Sequence, residues 1–307
     1  MHATAFLLWC YLFAIAAFVS ADDGDVISSK TQTISGVRGD FMYHYSQGSS
    51  CTSLVMLNVG TAMSVGDYDD LANDVATQSP DAVIFIVDNN PRSINKQSAT
   101  KFAGITNAII GQLADLVSVC ESVPTEKIFV GGHSAGGQAV IEATQKREEL
   151  LSYPVAGFIG MAPFNVGSVD GSPIDVPSLN WGFSKTSCGV TYTKAAMLAY
   201  QISQPETGRV FYQVVTHNFN TLTGGPHCSF TDRGCAGMCA GSADMRSFMH
   251  ENVGKSVKVL IDNSATGIEK SDFEFEMSSD EEVNLFVNED TIMASTKDGV
   301  GAVLTDG

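Results

Sequence analysis

Seven consecutive residues carry the clearest chemistry in this chain: Gly131-Gly132-His133-Ser134-Ala135-Gly136-Gly137. They follow directly on the strand-like run Lys127 to Val130, and a helix-forming stretch from Gln138 to Leu151 comes next. A strand that breaks into a sharp turn with serine at its tip presents a hydroxyl nucleophile. Such a turn strains the serine backbone and leaves room only for glycine two residues before and two after it. Gly132 and Gly136 occupy those two places. The G-x-S-x-G spacing alone is common enough to arise by chance. Its place between a strand and a helix gives it meaning.

A serine becomes reactive when a base takes its proton, an acid orients that base, and backbone donors receive the oxyanion. Two late histidines compete for the base. His217 ends the strand-like run Val210 to Val215, and His227 sits in the loop Gly224-Gly225-Pro226-His227-Cys228. The loop position is preferred, because a loop lets the imidazole fold back over the serine. His133 flanks the serine and points elsewhere by turn geometry, and His44 and His250 fall on a strand and a helix away from the site. One oxyanion donor is expected at the N–H of Ala135. The other is expected at Thr61, in the loop Asn58-Val59-Gly60-Thr61-Ala62. The acid is less defined. Asp170, in Ser168-Val169-Asp170-Gly171, is the first choice, followed by Asp175 and Glu206, and an Asp-Gly pair also marks a plain turn.

These groups need a scaffold. Ser53 to Val59, Ala82 to Val87, Lys127 to Val130, Val155 to Met161, Ser178 to Trp181 and Val210 to Val215 are apolar runs of strand length. Helical spacing separates them: Tyr68, Leu71 and Val75 share one face, and Phe102, Ile105, Ile109, Leu113, Leu116 and Cys120 recur at steps of three and four. Ala243 to Ile261 reads as a closing helix. Buried runs alternating with amphipathic helices predict an α/β domain, a mostly parallel central sheet with helices on both faces. Right-handed crossovers bring the strand C-termini to one edge, where ligands of such sheets bind. Ile34 to Ser46, around Arg38-Gly39-Asp40, is expected to be a strand pair with a hairpin turn rather than an adhesion tripeptide.

The chain has 307 residues and a formal net charge of −17. That charge argues against nucleic acid and anionic membrane surfaces as partners. Residues 1–21 read as a signal peptide, with an apolar run from Phe6 to Val19 and small residues at Val19-Ser20-Ala21. The mature chain is then expected to be secreted and not integral to a membrane. Cys10 falls in that leader, and the other six cysteines form an even set suited to disulfides, with the pairing open. A zinc site from His227, Cys228, Cys235 and Cys239 matches no standard ligand spacing. The domain is expected to span residues 22–262. Residues 263–307 are expected to form an acidic tail, disordered or a small β appendage, since Val283, Leu285 and Val287 alternate. No metal or cofactor is called for by any motif.

Taken together, these residues resemble the branch of α/β-hydrolases that contains chlorophyllases and cutinase-like polyester hydrolases. The marks are Val59-Gly60-Thr61-Ala62, the Gly-His-Ser-Ala-Gly-Gly turn, Met161-Ala162-Pro163-Phe164-Asn165 and Gly-Gly-Pro-His227-Cys228, covering about residue 50 to 240. The resemblance implies an α/β-hydrolase fold without a large cap domain, and a serine carboxylic-ester hydrolase. Ser134 would be its nucleophile, His227 its base, and Thr61 and Ala135 its oxyanion donors. It carries over no acid: Ala162 stands where chlorophyllases have an aspartate, and Ser184 to Ser187 where polyester hydrolases have one. The alternative is a hydrolase-fold binding or structural protein with a degenerate site. The expected substrate is an ester, small, lipid-like or polymeric.

Overall fold

The computed structural model describes residues 26–34, 37, 39–89, 98–164, 172–184, 191–215, 226–233, 241–277, 282–289, 293–294 and 302–303. Its first elements are β1 (Val26–Ser28), β2 (Gln32–Thr33), β3 (Asp40–Ser46), β4 (Ser53–Asn58), α1 (Asp69–Gln78), β5 (Ala82–Asp88), α2 (Ala99–Gly111) and α3 (Leu113–Leu116). There follow β6 (Ile128–His133), α4 (Ala135–Gln145), α5 (Arg147–Leu150), β7 (Gly157–Met161), β8 (Ser178–Phe183), α6 (Thr191–Gln201) and β9 (Arg209–Val215). The last are α7 (Ala243–Asn263), α8 (Lys270–Phe273), β10 (Glu282–Val287), β11 (Met293–Ala294) and β12 (Ala302–Val303).

Ten strands form one mixed sheet in the order β1-β3-β5-β4-β6-β7-β8-β9-β10, with β2 paired to β3. The six strands from β5 to β9 in that order run parallel, and antiparallel strands flank them on both sides. Every residue of β4, β6, β7, β8 and β9 is buried, as parallel strands covered on both faces require. Side chains alternate along each strand. Val55 and Leu57 enter one core with Leu71, Val75, Val253 and Val257 of α1 and α7. Leu54 and Met56 enter the other, with Phe102, Ile105, Val140 and Ile141 of α2 and α4.

Chain order fixes where a site can open. Of the parallel strands β4 comes first, β5 joins it on one side, and β6 joins it on the other. The connections leaving β4 and β6 therefore diverge, and sheets of this kind bind ligands between such strand ends. Three of the five non-glycine residues with positive φ, among those described, follow neighbouring strands at this edge: Ala62 after β4, Ser134 after β6 and Ala162 after β7.

Two segments differ from the sequence pattern. The amphipathic run from Thr100 to Cys120 is not one helix, since α2 ends at Gly111 and a single turn, α3, follows. Glycine at that point weakens the helix, and Cys120 is placed by its disulfide to Cys51 rather than by helical register. Closing a loop across a sequence separation of 69 contributes about 4 kcal/mol in the chain-entropy account. The late acidic segment also contributes to the main body. β10 hydrogen-bonds along the whole of β9 as the edge strand of the large sheet. Phe273 is fully buried in the core. No helix among the described residues is long and apolar enough to cross a membrane.

Candidate functional site

The turn at Ser134 is built by contact between glycines. A Cβ on Gly132 would meet the Gly136 carbonyl carbon at 2.8 Å, and one on Gly136 would meet the Val59 carbonyl oxygen at 2.3 Å. These residues must lack side chains for β6 to turn into α4 against the end of β4. Ser134 takes φ 55° and ψ −127° as the N-cap of α4. That backbone is costly for a residue with a Cβ, and it persists because its neighbours fix it. The Ser134 N–H donates to the Met161 carbonyl, and its own carbonyl accepts from the Phe164 N–H.

The structure brings His227 to Ser134. The serine Oγ lies 3.0 Å from Nε2 of His227, within hydrogen-bond range. His227 sits in a single 3₁₀ turn, Pro226–Cys228, and is 3 % exposed. Burial, and then the neighbouring His133, hold its pKa well below the ordinary histidine value. The ring is therefore neutral at physiological pH and able to accept a proton.

Ala135 and Gly60 both lie beside Ser134. Ala135 opens α4, where the first helical N–H groups have no partner within the helix and point at whatever lies before it. Gly60 packs against Ser134, since a Cβ there would lie 3.3 Å from Ser134 Cβ. Thr61 is the next residue of that loop, which is closed by a bond from the Met63 N–H to the Gly60 carbonyl.

Asp170 and the competing base His217 both lie outside the described residues. Asp175 precedes β8 and Glu206 precedes β9, so both sit at the N-terminal edge of parallel strands, opposite Ser134. Asp175 is moreover ion-paired with Arg147, which holds its carboxyl below the usual range. Neither is placed to serve His227. At the productive edge, Ala162 and Ser184 close β7 and β8 without a carboxylate.

Sequence reasoning missed two residues. His133 does turn away from the serine hydroxyl, and it joins the parts of the site instead. Its Nε2–H donates to the His227 carbonyl at 2.9 Å, because a carbonyl can only accept. Its Nδ1 then accepts from the Tyr68 hydroxyl at 2.8 Å. Tyr68 in turn accepts from the Gly60 N–H at 2.8 Å. One buried chain of bonds thus runs from Gly60 through the end of β6 to the His227 turn. Burial holds the His133 pKa down to about 4, which keeps the ring neutral, as an accepting Nδ1 requires. The available signal was a histidine inside an otherwise apolar strand, where an unbonded imidazole would be costly. Tyr68→Phe should leave the Gly60 N–H and His133 Nδ1 buried without this partner. The expected loss is about 1–3 kcal/mol in urea unfolding. An unchanged unfolding midpoint would show that the chain carries no such strain.

His133, His227 and Cys228 come close enough to suggest a metal centre. The site does not fit one: the Cys228 sulfur is committed to a disulfide, and both His133 nitrogens are engaged. Cys188, Cys235 and Cys239 lie outside the described residues. A scan against protein-family models matches none of them for this chain, and a comparison with curated proteins finds no match.

Proposed function

We propose that this protein is a secreted serine hydrolase of carboxylic esters, with an α/β-hydrolase fold, acting through an acyl-enzyme on Ser134. The observation that carries the reading is the 3.0 Å approach of His227 Nε2 to the hydroxyl of a serine held at φ 55°. The strand order, the switch point between β4 and β6, and a helix that begins at the residue after the serine all support it. The leader-like residues 1–21 support export.

In this mechanism Ser134 Oγ attacks the ester carbonyl carbon while His227 Nε2 takes its proton. The N–H groups of Thr61 and Ala135 receive the charge that develops on the carbonyl oxygen. His227 returns the proton to the departing alcohol, leaving the acyl group on Ser134. Water, deprotonated by His227, then releases the carboxylic acid and restores the serine. Asp170, which falls in sequence between β7 and β8, is the carboxylate proposed to orient His227. The stretch from Pro163 to Val176 is too short for a cap domain, which suits an ester presented on a bulky or exposed substrate.

A second reading, a degenerate hydrolase-fold binding protein, draws on Ala162 and Ser184, which leave the ends of β7 and β8 without an acid. One experiment separates the two. A fluorophosphonate probe should label wild-type protein at Ser134, and the labelling rate should hold as pH falls through 6.5. The sign follows from His227: a pKa held below the ordinary value keeps the base unprotonated down to lower pH. Absence of labelling where a control esterase reacts would favour the binding protein. A rate falling already above pH 6.5 would contradict a desolvated base.

A further inference from the structure

We infer that Asp70, Asp232 and His250 form a binding site for a divalent cation of the zinc type, separate from the serine. Asp70 lies in the first turn of α1, His250 on α7, and Asp232 in the segment that follows His227. Each offers one ligand atom, and these atoms lie within 4.8 Å of one another.

Two polar atoms of these residues lack the partners that buried polar groups normally have. His250 is 4 % exposed, and its Nε2 has no hydrogen-bond partner among the described residues. Asp232 is anchored by one oxygen, Oδ2, which accepts from the N–H groups of Asp69 and Asp70 at 2.8 and 3.3 Å. Its other oxygen, Oδ1, is buried and has no partner among the described residues. A buried imidazole nitrogen and a buried carboxylate oxygen, on residues whose ligand atoms lie close together, are both left for a third body that accepts electron pairs. Asp70 is exposed, so it can swing inward, and solvent can fill a remaining coordination position. Donors on one zinc stand about 3.3 Å apart in a tetrahedron, so a modest side-chain rotation closes the set.

The charges agree. Asp67, Asp69, Asp70, Asp74, Asp232 and Glu251 crowd this corner, with Arg246 and the neutral His44 as the basic groups nearby. A cation would relieve the repulsion among these carboxylates. One imidazole with two carboxylates suits zinc and its neighbours better than calcium or magnesium, which favour oxygen donors throughout. A bound ion would tie the segment after His227 to α1 and α7, whatever reaction Ser134 performs.

The test is calorimetric titration of the chelator-treated mature chain with zinc, calcium and magnesium chlorides at neutral pH. The expected result is one zinc per chain, with neither calcium nor magnesium taking its place. Asp70→Asn, a surface change that should leave the fold intact, and His250→Gln should each weaken zinc at least about 100-fold, since even residues behind a ligand cost 10–100-fold. His227→Ala should bind zinc as wild type does, which separates this site from the serine site. No zinc binding by the wild type, binding undiminished in both ligand variants, or a site that takes only calcium would overturn the assignment.

Discussion

Ser134→Ala is expected to lower turnover of a short aryl ester by at least about 10⁴-fold while leaving the unfolding midpoint close to wild type. Alanine keeps the Cβ that the turn already accommodates at φ 55°, and it removes only the hydroxyl. The bonds that hold the turn, from the Ser134 N–H to Met161 and from the Phe164 N–H to the Ser134 carbonyl, belong to the backbone and survive. The loss is large because nucleophile and base act as one unit. Without Oγ, the proton that His227 would take is gone, and any remaining rate comes from the oxyanion donors and from binding. Steady-state hydrolysis beside far-ultraviolet circular dichroism separates the two effects. Retained turnover in a folded variant would move the chemistry away from Ser134 and end the esterase reading.

Gly136→Ala is expected to do the reverse and remove the fold along with the activity. Its Cβ would stand 2.3 Å from the Val59 oxygen and 2.6 Å from the Asn58 oxygen. Both are backbone atoms at the end of the fully buried β4, so no side chain can move aside. Relief requires shifting α4 away from β4, which breaks the close approach that sets the turn. Overpacking of a core typically costs 1–3 kcal/mol, and a clash with fixed backbone lies at about 3 kcal/mol or beyond. Against a total stability of about 5–15 kcal/mol, that should give a low yield of soluble protein or a much lower unfolding midpoint. Gly104→Ala is the control. Nothing lies within 4 Å of a Cβ there, and the residue is inside α2. It should stabilise the protein by about 0.5–1 kcal/mol through helix propensity alone. A Gly136→Ala protein as stable as wild type would show that the turn tolerates a side chain, and the reading of its glycines would fail.

Much of the scaffold was legible because its signals are local. Apolar runs such as Ser53 to Val59 and Ala82 to Val87 became β4 and β5 within a residue or two. A strand buried on both faces must be apolar throughout, and that requirement is written in the run itself. The closing helix from Ala243 was equally clear. The run from Thr100 to Cys120 was misread because its spacing continues past Gly111. Burial alone preserves such spacing whether or not the backbone stays helical.

The sequence by itself determined the serine, its glycines and the preference for His227, because each depends on residue type at short range. Tertiary structure alone decided which histidine pairs with Ser134, why His133 and Tyr68 are needed, and that Asp175 and Glu206 lie at the wrong edge of the sheet. It also decided that Asp70, Asp232 and His250, well over a hundred residues apart at the extremes, meet in one place. The physical reason is common to all of these. Hydrogen bonds, desolvation and charge crowding act over a few ångströms, and only the packing of α1, α7 and the loops around one sheet edge sets which groups come within that distance.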